Sequence, residues 1–509
     1  MKKAKFKMTG NGSRIEEVSE SSCLCASVLK KDAGTVEGDF NTETQRRRGA
    51  EFKMTEIGLI PEDWEVKRLG EVCETSSGGT PSRSNLNYYD GNIKWFTTTE
   101  LQDCNLYDSN EHISKDALKK SSAKIFPCGT LLMAMYGATI GRLGVLRTEA
   151  ATNQACCAIF CGNLIDTVYT YYYLYHSRLA IIEKGCGAGQ PNISQEIVRS
   201  LWISLPSLTE QKKIAETLAD VDELLAAMTT LIEKKRAIKQ GAMQELLTGK
   251  KRLVSFKNSE SSSLCASVLK KDTGVVEGDF NTETQRRRGT EFKMTEIGPI
   301  PEDWEIKPFP ECFSFIRNNT YARESLTDSI GSVANIHYGD VLIKYGAVLN
   351  FARDSVPYLK SGVKPNRDML KNGDLVFADT AEDDTVGKAV EVQGVQSRMV
   401  VAGLHTVACR PREGMFAPRY LGYYINSPTY HNQLLSLITG TKVSSVSRAG
   451  FLSTYVVLPP LPEQEAIAEV LSDMDAEIEA LEAKLAKYES IKQGMMQELL
   501  TGKTRLKGA

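Results

Sequence analysis

The chain has 509 residues, of which 41% are hydrophobic and 25% charged, and its formal net charge is −2. At roughly 100–200 residues per domain, this length predicts two to four domains. The apolar fraction is sufficient for packed cores, which excludes a largely disordered chain, and the net charge excludes a uniformly basic surface for nucleic acid. No apolar run is long enough to span a bilayer, and the basic N-terminus lacks the apolar stretch of a signal peptide. We therefore expect a cytoplasmic protein without a membrane partner.

The chain is organised as a repeat. Residues 21–65 recur as residues 261–305 and differ only at positions 23, 33, 35, 50 and 59. Residues 205–253 recur, less exactly, as residues 458–506. The segments between these shared blocks are dissimilar. Shared frames that carry different inserts predict one mechanical task performed on two different targets, whereas a plain tandem duplication with one drifting copy is the alternative.

The repeat divides the chain into six segments in sequence order. Residues 1–50 form an arm and residues 251–290 form a linker; both lack periodicity and are rich in Ser, Thr, Gly and charge. Residues 51–205 and 291–458 are predicted as two mixed α/β (α+β) domains. In the first domain, strand-like alternation, glycine turns and an aromatic helix indicate this class. The aromatic helix is predicted at Tyr169–Leu179. Residues 206–250 and 459–509 are predicted as long helices.

Each predicted helix carries an apolar residue alternately every three and four positions, which is a heptad seam. The seam residues are Ile214, Leu218, Val221, Leu225, Met228 and Ile232 in the first helix, and Ile467, Leu471, Met474, Ile478, Leu481 and Leu485 in the second. Gly249 and Gly502 follow the helices at the position of a C-cap. Pairing of the two seams with pseudo-twofold symmetry predicts an antiparallel coiled coil; two helices packed separately on their own domains are the alternative. At about 40 residues, each helix is roughly 60 Å long.

Sites for catalysis or metal binding are not evident in the sequence. The 12 cysteines contain no CxxC pair and lie far from the histidines, so we expect no metal site. TGKT at 501–504 lacks the first glycine of a phosphate-binding loop. The acidic stretch 373–384 suggests a nuclease-like metal site, which Asp379→Ala or Asp383→Ala would test, but it lacks the accompanying Glu-x-Lys pattern. The residues alone therefore leave a non-enzymatic DNA-binding protein and a two-module interaction scaffold without DNA as the main alternatives.

The chain resembles the specificity subunits of Type I restriction–modification systems over about residues 51–509. The resemblance rests on IGxIPEDWE at 57–65 and 297–305, GGTPSR at 78–83, TNQACCAI at 152–159, GQPNIS at 189–194, and the doubled LPxLxEQxxIAExL…KQGxMQELLTGK frame. The 1–50 arm and its copy are not part of this pattern.

The resemblance implies a non-catalytic chain with double-stranded DNA as a partner. It implies that each domain is a target recognition domain for one half of a bipartite site, and that the antiparallel coiled coil sets the gap between the halves. It further implies docking of two adenine methyltransferase subunits, with restriction subunits in the full complex. S-adenosylmethionine, ATP and Mg²⁺ would belong to those partners, and this chain would hold no cofactor. The faces of the helices opposite the seam, with the IPEDW segments, are the expected docking surface, although Trp64 and Trp304 are equally typical of core residues.

Polar and basic side chains in the loops of both inserts are the expected DNA contacts, because Arg and Lys pair with guanine or phosphate and Asn and Gln pair with adenine. We expect these contacts from Thr80, Ser82, Arg83, Thr139, Arg142, Gln190 and Asn192 in the first domain, and from Lys344, Tyr345, Lys388, Lys442 and Ser444 in the second.

Overall fold

The computed structural model describes residues 51–185, 192–253, 291–363, 365, 368–440 and 443–506. The predicted arm and most of the linker thus lie outside the described residues. The chain divides into two compact units. The first contains residues up to 229 together with residues from 483 onward, and the second contains residues 230–482. Each unit therefore combines one predicted recognition domain with one half of each long helix, so the units cut across the segments expected from the sequence.

The first unit is a mixed α/β domain followed by helix segments. Its strands are β1 (Phe52–Thr55), β2 (Gly58–Pro61), β3 (Glu65–Arg68), β4 (Cys73–Ser77), β5 (Ile93–Phe96), β6 (Cys104–Leu106), β7 (Glu111–Ile113), β8 (Ile125–Phe126), β9 (Leu131–Ala134), β10 (Leu143–Leu146), β11 (Ala150–Thr152), β12 (Cys156–Cys161) and β13 (Trp202–Leu205). Its helices are α1 (Leu69–Val72), α2 (Lys115–Lys119), α3 (Thr167–His176), α4 (Arg178–Glu183), α5 (Gln195–Ser200) and the first part of α6 (Leu208–Leu246).

The second unit repeats this plan. Its strands are β14 (Phe292–Thr295), β15 (Gly298–Pro301), β16 (Glu305–Pro308), β17 (Phe313–Ile316), β18 (Leu326–Thr327), β19 (Val333–Ile336), β20 (Val348–Asn350), β21 (Tyr358–Leu359), β22 (Leu375–Ala378), β23 (Thr380–Ala381), β24 (Ala389–Gln393), β25 (Met399–Ala402), β26 (Thr406–Pro411), β27 (Ser444–Ser445) and β28 (Tyr455–Leu458). Its helices are α7 (Phe309–Cys312), α8 (Tyr338–Ile343), α9 (Tyr420–Ile425), α10 (Pro428–Leu435), α11 (Arg448–Leu452) and the first part of α12 (Leu461–Leu500).

Each unit contains a five-stranded and a four-stranded sheet. The five-stranded sheets have matching strand order, whereas the four-stranded sheets share a parallel pair, β5–β11 and β19–β25, with different flanking strands. The five-stranded sheets run β4-β12-β9-β10-β6 and β17-β26-β22-β24-β20, and the four-stranded sheets run β7-β5-β11-β8 and β18-β21-β19-β25. The two inserts therefore share one fold, although their sequences differ at the start. The predicted α/β class is confirmed. The expected aromatic helix is divided into α3 and α4, because Ser177 ends the first and begins the second.

The two long helices pack against each other in an antiparallel manner within each unit. In the first unit, Ile214 and Leu218 near the start of α6 share a hydrophobic core with Met496 and Leu499 near the end of α12. In the second unit, the end of α6 packs in the same core as Ile467 near the start of α12. Most of the expected seam residues are buried, namely Ile214, Leu218, Val221, Met228, Ile232, Ile467, Leu471, Met474 and Ile478, while Leu225, Leu481 and Leu485 are half-buried.

Ion pairs flank the packed helix surfaces. In the first unit, Lys492 Nζ lies 2.5 Å from an Asp222 carboxylate oxygen. In the second, Lys235 pairs with Glu477 at 2.6 Å. Among the described helices, none has an apolar stretch of the length that a bilayer requires.

Candidate nucleic-acid interface

Three predicted loops of the first unit meet at one turn, residues 152–155. The Gly79 amide donates to the Thr152 carbonyl at 2.9 Å, and the Met135 amide donates to the Ala155 carbonyl at 2.8 Å. The Ile193 amide in turn donates to the Met135 carbonyl at 2.9 Å. Backbone bonds therefore hold residues 78–83, 136–139, 152–155 and 192–194 together, and we call this set the first loop cluster.

Exposed polar side chains lie on the first loop cluster. Thr80 is exposed and its hydroxyl donates to Gln154 Oε1 at 2.5 Å. Ser82 and Asn192 are also exposed, whereas Thr139 is half-buried. Gln190 lies outside the described residues. Hydroxyl and amide groups at one surface are the groups that form hydrogen bonds with base edges and phosphates.

The two predicted arginines of this unit are engaged in ion pairs. Arg83 Nη2 lies 2.8 Å from Glu111 Oε2, and the guanidinium lies 4.3 Å from the centroid of the Tyr89 ring. The hydrogen bond that Arg83 donates to Glu111 raises the pKa of Arg83 above its ordinary value. Arg142 pairs with Asp103 at 2.5 Å, and Asp103 also binds Arg178. Contact of either arginine with DNA would therefore compete with an acidic partner inside the unit.

The second unit has the same backbone bonds at equivalent places. The Asn319 amide donates to the Ala402 carbonyl at 2.8 Å, and the Asp379 amide donates to the His405 carbonyl at 3.2 Å. The Val446 amide donates to the Asp379 carbonyl at 2.9 Å. We call residues 318–320, 379–385, 403–405 and 443–447 the second loop cluster. Equivalent backbone bonding with different side chains is the arrangement expected of two recognition surfaces with different targets.

One of the residues predicted to contact DNA in the second domain lies on this cluster. Ser444 is half-buried in β27, which pairs with β23. Lys442 lies outside the described residues. The other three residues, Lys344, Tyr345 and Lys388, make internal contacts elsewhere in the unit.

Lys344, Tyr345 and Lys388 donate hydrogen bonds to backbone carbonyls of the second unit. Tyr345 is buried, and its hydroxyl donates to the Ser355 carbonyl at 3.2 Å. Lys344 donates to the same carbonyl at 2.7 Å. Lys388 is half-buried, donates to the Leu342 carbonyl at 2.7 Å, and has its pKa lowered by desolvation. Burial of Tyr345 and half-burial of Lys388 argue against a direct contact of these two side chains with DNA. Lys344 is exposed, and its contact with DNA stays a prediction.

Several polar residues of the clusters were not predicted from the sequence. Gln154 in the first unit and Asn318, Tyr338 and His405 in the second lie on or beside the turns where the loops meet. TNQ at 152–154 was noted only as a family motif. Its equivalent in the second unit has no similar sequence, so only the shared strand register relates the two turns.

The segments that the two halves share, residues 51–65 with 205–253 and 291–305 with 458–506, form a second kind of site, which is structural; we call them the shared frame. Trp64 is fully buried, and its Nε1 donates to Glu210 Oε2 at 3.2 Å. Arg505 donates to Glu210 at 2.7 and 2.8 Å and to Asp63 at 2.7 and 2.9 Å. Gly502 has a φ of +72°, and a β-carbon there would lie 2.4 Å from Pro61 Cγ. Residues 61–64, Glu210, Gly502 and Arg505 form what we call the first Trp–Glu–Arg cluster.

The second unit contains an equivalent cluster. Trp304 Nε1 donates to Glu463 Oε2 at 3.0 Å, and Arg252 binds both Glu463 and Asp303. Gly249 has a φ of +68° and contacts Pro301 as Gly502 contacts Pro61. The tail after α6 thus completes the second unit, and the tail after α12 completes the first. Both tryptophans are core residues, so their rings do not form an exposed docking surface in the described structure.

Three further hydrogen bonds join the domain of the first unit to its long helices. Gln211 Nε2 donates to the Pro206 and Leu164 carbonyls at 2.9 and 3.1 Å. The Tyr172 hydroxyl donates to Asp222 at 2.7 Å. Gln464 and Tyr423 make corresponding bonds in the second unit. Gln211 and Asp222 in α6, and the equivalent Gln464 and Asp475 in α12, therefore attach each recognition domain to its long helix.

No group of three His, Cys, Asp or Glu side chains suited to a metal occurs among the described residues. Within the acidic stretch 373–384, Asp374 is buried and pairs with Arg410 at 2.7 Å, and the Asp383 carboxylate accepts from the Thr385 amide at 2.9 Å. These carboxylates have structural partners, so the stretch does not support the nuclease alternative.

A family model described as the Type I restriction modification DNA specificity domain matches residues 61–237 and 301–490. These two matches cover most of the chain, one in each half, and the chain therefore belongs to this family.

Curated relatives match the chain over different lengths. The Type I restriction enzyme MjaVIII specificity subunit of Methanocaldococcus jannaschii is 24% identical over 473 residues, covering 90% of this chain and 96% of the relative. The MjaIX specificity subunit of the same organism is 33% identical over 180 residues, covering 34% of this chain and 41% of the relative. A solved structure reported for assembly and conformational transition of the Type I restriction–modification system matches 87% of this chain and 99% of its own, with a TM-score of 0.50 and 13% identity. That likeness concerns the fold.

Proposed function

We propose that this chain is the DNA-recognition subunit of a Type I restriction–modification complex, in which each unit recognises one half of a bipartite DNA site. The observation that carries the proposal is the doubled family match on two units of one fold. The two loop clusters have equivalent backbone bonds but different exposed side chains. Such a pair is suited to two different half-sites, because sequence is recognised through side chains at base edges.

The long helices supply the second part of the proposal. α6 and α12 contain 39 and 40 residues, so each is about 60 Å long at 1.5 Å per residue. We propose that they set the gap between the half-sites, which must be shorter than about 17 base pairs at 3.4 Å each. Insertion of four residues near position 227 should then change the gap of the recognised sequence or abolish recognition. An unchanged gap with full activity would contradict this role.

The partners that this function requires are DNA and other subunits of the complex. We propose that two adenine methyltransferase subunits dock on the shared frame and that restriction subunits join them. S-adenosylmethionine, ATP and Mg²⁺ are then held by those partners. Met54 and Met294 support a docking role, because they are 74% and 79% exposed at equivalent positions of the β1–β2 and β14–β15 hairpins. A chain with these partners acts in the cytoplasm, where the DNA is.

Salt-dependent DNA binding separates this proposal from a scaffold that binds only proteins. The chain, assembled with its methyltransferase partner, is titrated onto duplex DNA at increasing salt. A DNA-recognition subunit that contacts several phosphates loses affinity steeply, because the bound counterions are released on binding. Absence of DNA binding at low salt, with the partner shown to be assembled, would favour the scaffold.

A further inference from the structure

His405 has a backbone conformation that side chains rarely adopt. Its φ is +52°, in the left-handed region, and the residue is exposed. It ends the turn 403–405 of the second loop cluster, where its carbonyl accepts from the Asp379 amide at 3.2 Å. Residues other than glycine in this region are uncommon and concentrate at functional sites, since the surrounding structure must hold them there.

The His405 ring is held by two neighbours. Its Nδ1 lies 3.7 Å from Asp379 Oδ1, and Thr380 donates to the same oxygen at 2.9 Å. The Tyr338 ring packs against the imidazole at 5.4 Å between centroids, with an angle of 77° between the planes. The Tyr338 ring also packs against the His337 ring, with 4.7 Å between centroids. Burial lowers the pKa of His337. The His405 ring is therefore positioned, yet about half of the side chain stays exposed.

The equivalent position of the first unit is Ala155, since the Ala155 carbonyl accepts from the Met135 amide as the His405 carbonyl accepts from the Asp379 amide. The backbone at this point is thus common to both units, whereas the side chain changes from a methyl group to an imidazole. A residue that differs between the units at the meeting point of all the loops can supply a contact that only the second unit makes.

Building on the proposed function, we propose that His405 determines specificity in the second half-site by accepting a hydrogen bond from the exocyclic amino group of an adenine or cytosine. Asp379 beside Nδ1 favours the tautomer with the proton on that nitrogen. Nε2 is then an acceptor, and it has no hydrogen-bond partner among the residues that the structure describes. In the major groove, adenine N6 and cytosine N4 are the amino donors, whereas guanine O6 and thymine O4 are acceptors and would face Nε2 unfavourably.

The test compares His405→Gly and His405→Asn in the assembled complex with its methyltransferase. Glycine adopts the same φ without strain, so His405→Gly removes the ring and keeps the turn. Asparagine also tolerates this region and keeps an acceptor. Gln396→Gly is the matched control, because Gln396 is an exposed residue of the same unit with a φ of +50° and lies between β24 and β25, outside the second loop cluster. Adenine methylation is measured on duplexes that vary one base of either half-site at a time.

His405→Gly should lose discrimination at one position of the second half-site, by about 2- to 10-fold for a single net hydrogen bond. His405→Asn should keep most of that discrimination, and the first half-site should be unchanged in both variants. Unaltered base preference in His405→Gly, or a uniform loss of methylation across all duplexes, would overturn the assignment. If the unmodified chain shows no two-part site at all, the proposed function fails instead.

Discussion

Substitution of Arg505 tests how the shared frame stabilises the first unit. Its guanidinium forms paired bonds with Glu210 and Asp63, and the hydrogen bonds that it donates to Glu210 raise the pKa of Arg505 above its ordinary value. The Glu210 side chain is 4% exposed, so Arg505→Ala leaves a buried carboxylate without its cation. Removing one partner of a buried ion pair costs about 3–5 kcal/mol.

The lower end of that range applies here. Trp64 Nε1 and the Leu506 amide still donate to Glu210 after the change. We therefore expect Arg505→Ala to lower the free energy of unfolding of the first unit by about 3 kcal/mol. For a unit of this size, the melting temperature should fall by about 6–12 °C.

Hydrogen exchange with mass spectrometry is the appropriate assay, because a chain of two units need not unfold in one step. Slowly exchanging amides near Trp64 should exchange roughly 100-fold faster in Arg505→Ala, as about 3 kcal/mol implies. Lys503→Ala is the matched control, since Lys503 is an exposed cation on the same tail. Arg252→Ala should have its effect on peptides around Trp304 instead. Equal behaviour of Arg505→Ala and Lys503→Ala would refute the reasoning.

Three further changes test the packing and the charges. Gly502→Ala should destabilise the first unit by about 2–4 kcal/mol, because the added β-carbon would overlap a proline ring and residue 502 has a positive φ. Gly494→Ala is its control and should stabilise the helix by about 0.5–1 kcal/mol, since no atom lies within 4 Å of the added β-carbon. Urea unfolding compares the two variants. Tyr172→Phe should cost about 1–2 kcal/mol in the same assay, because it removes a hydrogen bond to a carboxylate that keeps its lysine, and a cost near zero would contradict this. Burial raises the pKa of the Glu391 carboxyl in the folded chain above 4.5, its ordinary value. The stabilisation by this carboxyl is therefore fully present below the pKa of the unfolded chain, and it is lost as the pH rises through the pKa of the folded chain. Relative to Glu391→Gln, the unmodified second unit should therefore gain stability as the pH is lowered from 7 toward 4.5 in thermal melts, and parallel curves would contradict this.

The periodic elements could be predicted from the sequence because they depend on local pattern. Spacing of three and four residues indicated α6 and α12, and Gly249 and Gly502 have the positive φ expected of C-caps. Strands β9 and β10 lie on either side of the glycines at 137–141, which agrees with the glycine turns expected in the first domain. These features require only residues close together in the chain.

The arrangement of the loops could not be predicted in the same way. Thr80 and Gln154 are far apart in sequence, and only the sheet register brings them together. Tyr345 and Lys388 have the chemistry of DNA-contacting residues, but tertiary packing buries Tyr345 and half-buries Lys388. Likewise, the ion pairs of Arg83 and Arg142 depend on acidic residues that are distant in the sequence. Residue type and loop position therefore give candidates, whereas accessibility follows from the fold.

A methylation map tests the central claim most directly. The chain is expressed with and without its methyltransferase subunit in a host that lacks adenine methylation, and long-read sequencing then identifies the modified adenines. The account predicts one two-part motif with a fixed gap, present only when both chains are expressed. Absence of any motif with an active methyltransferase, or a motif that persists without this chain, would contradict it.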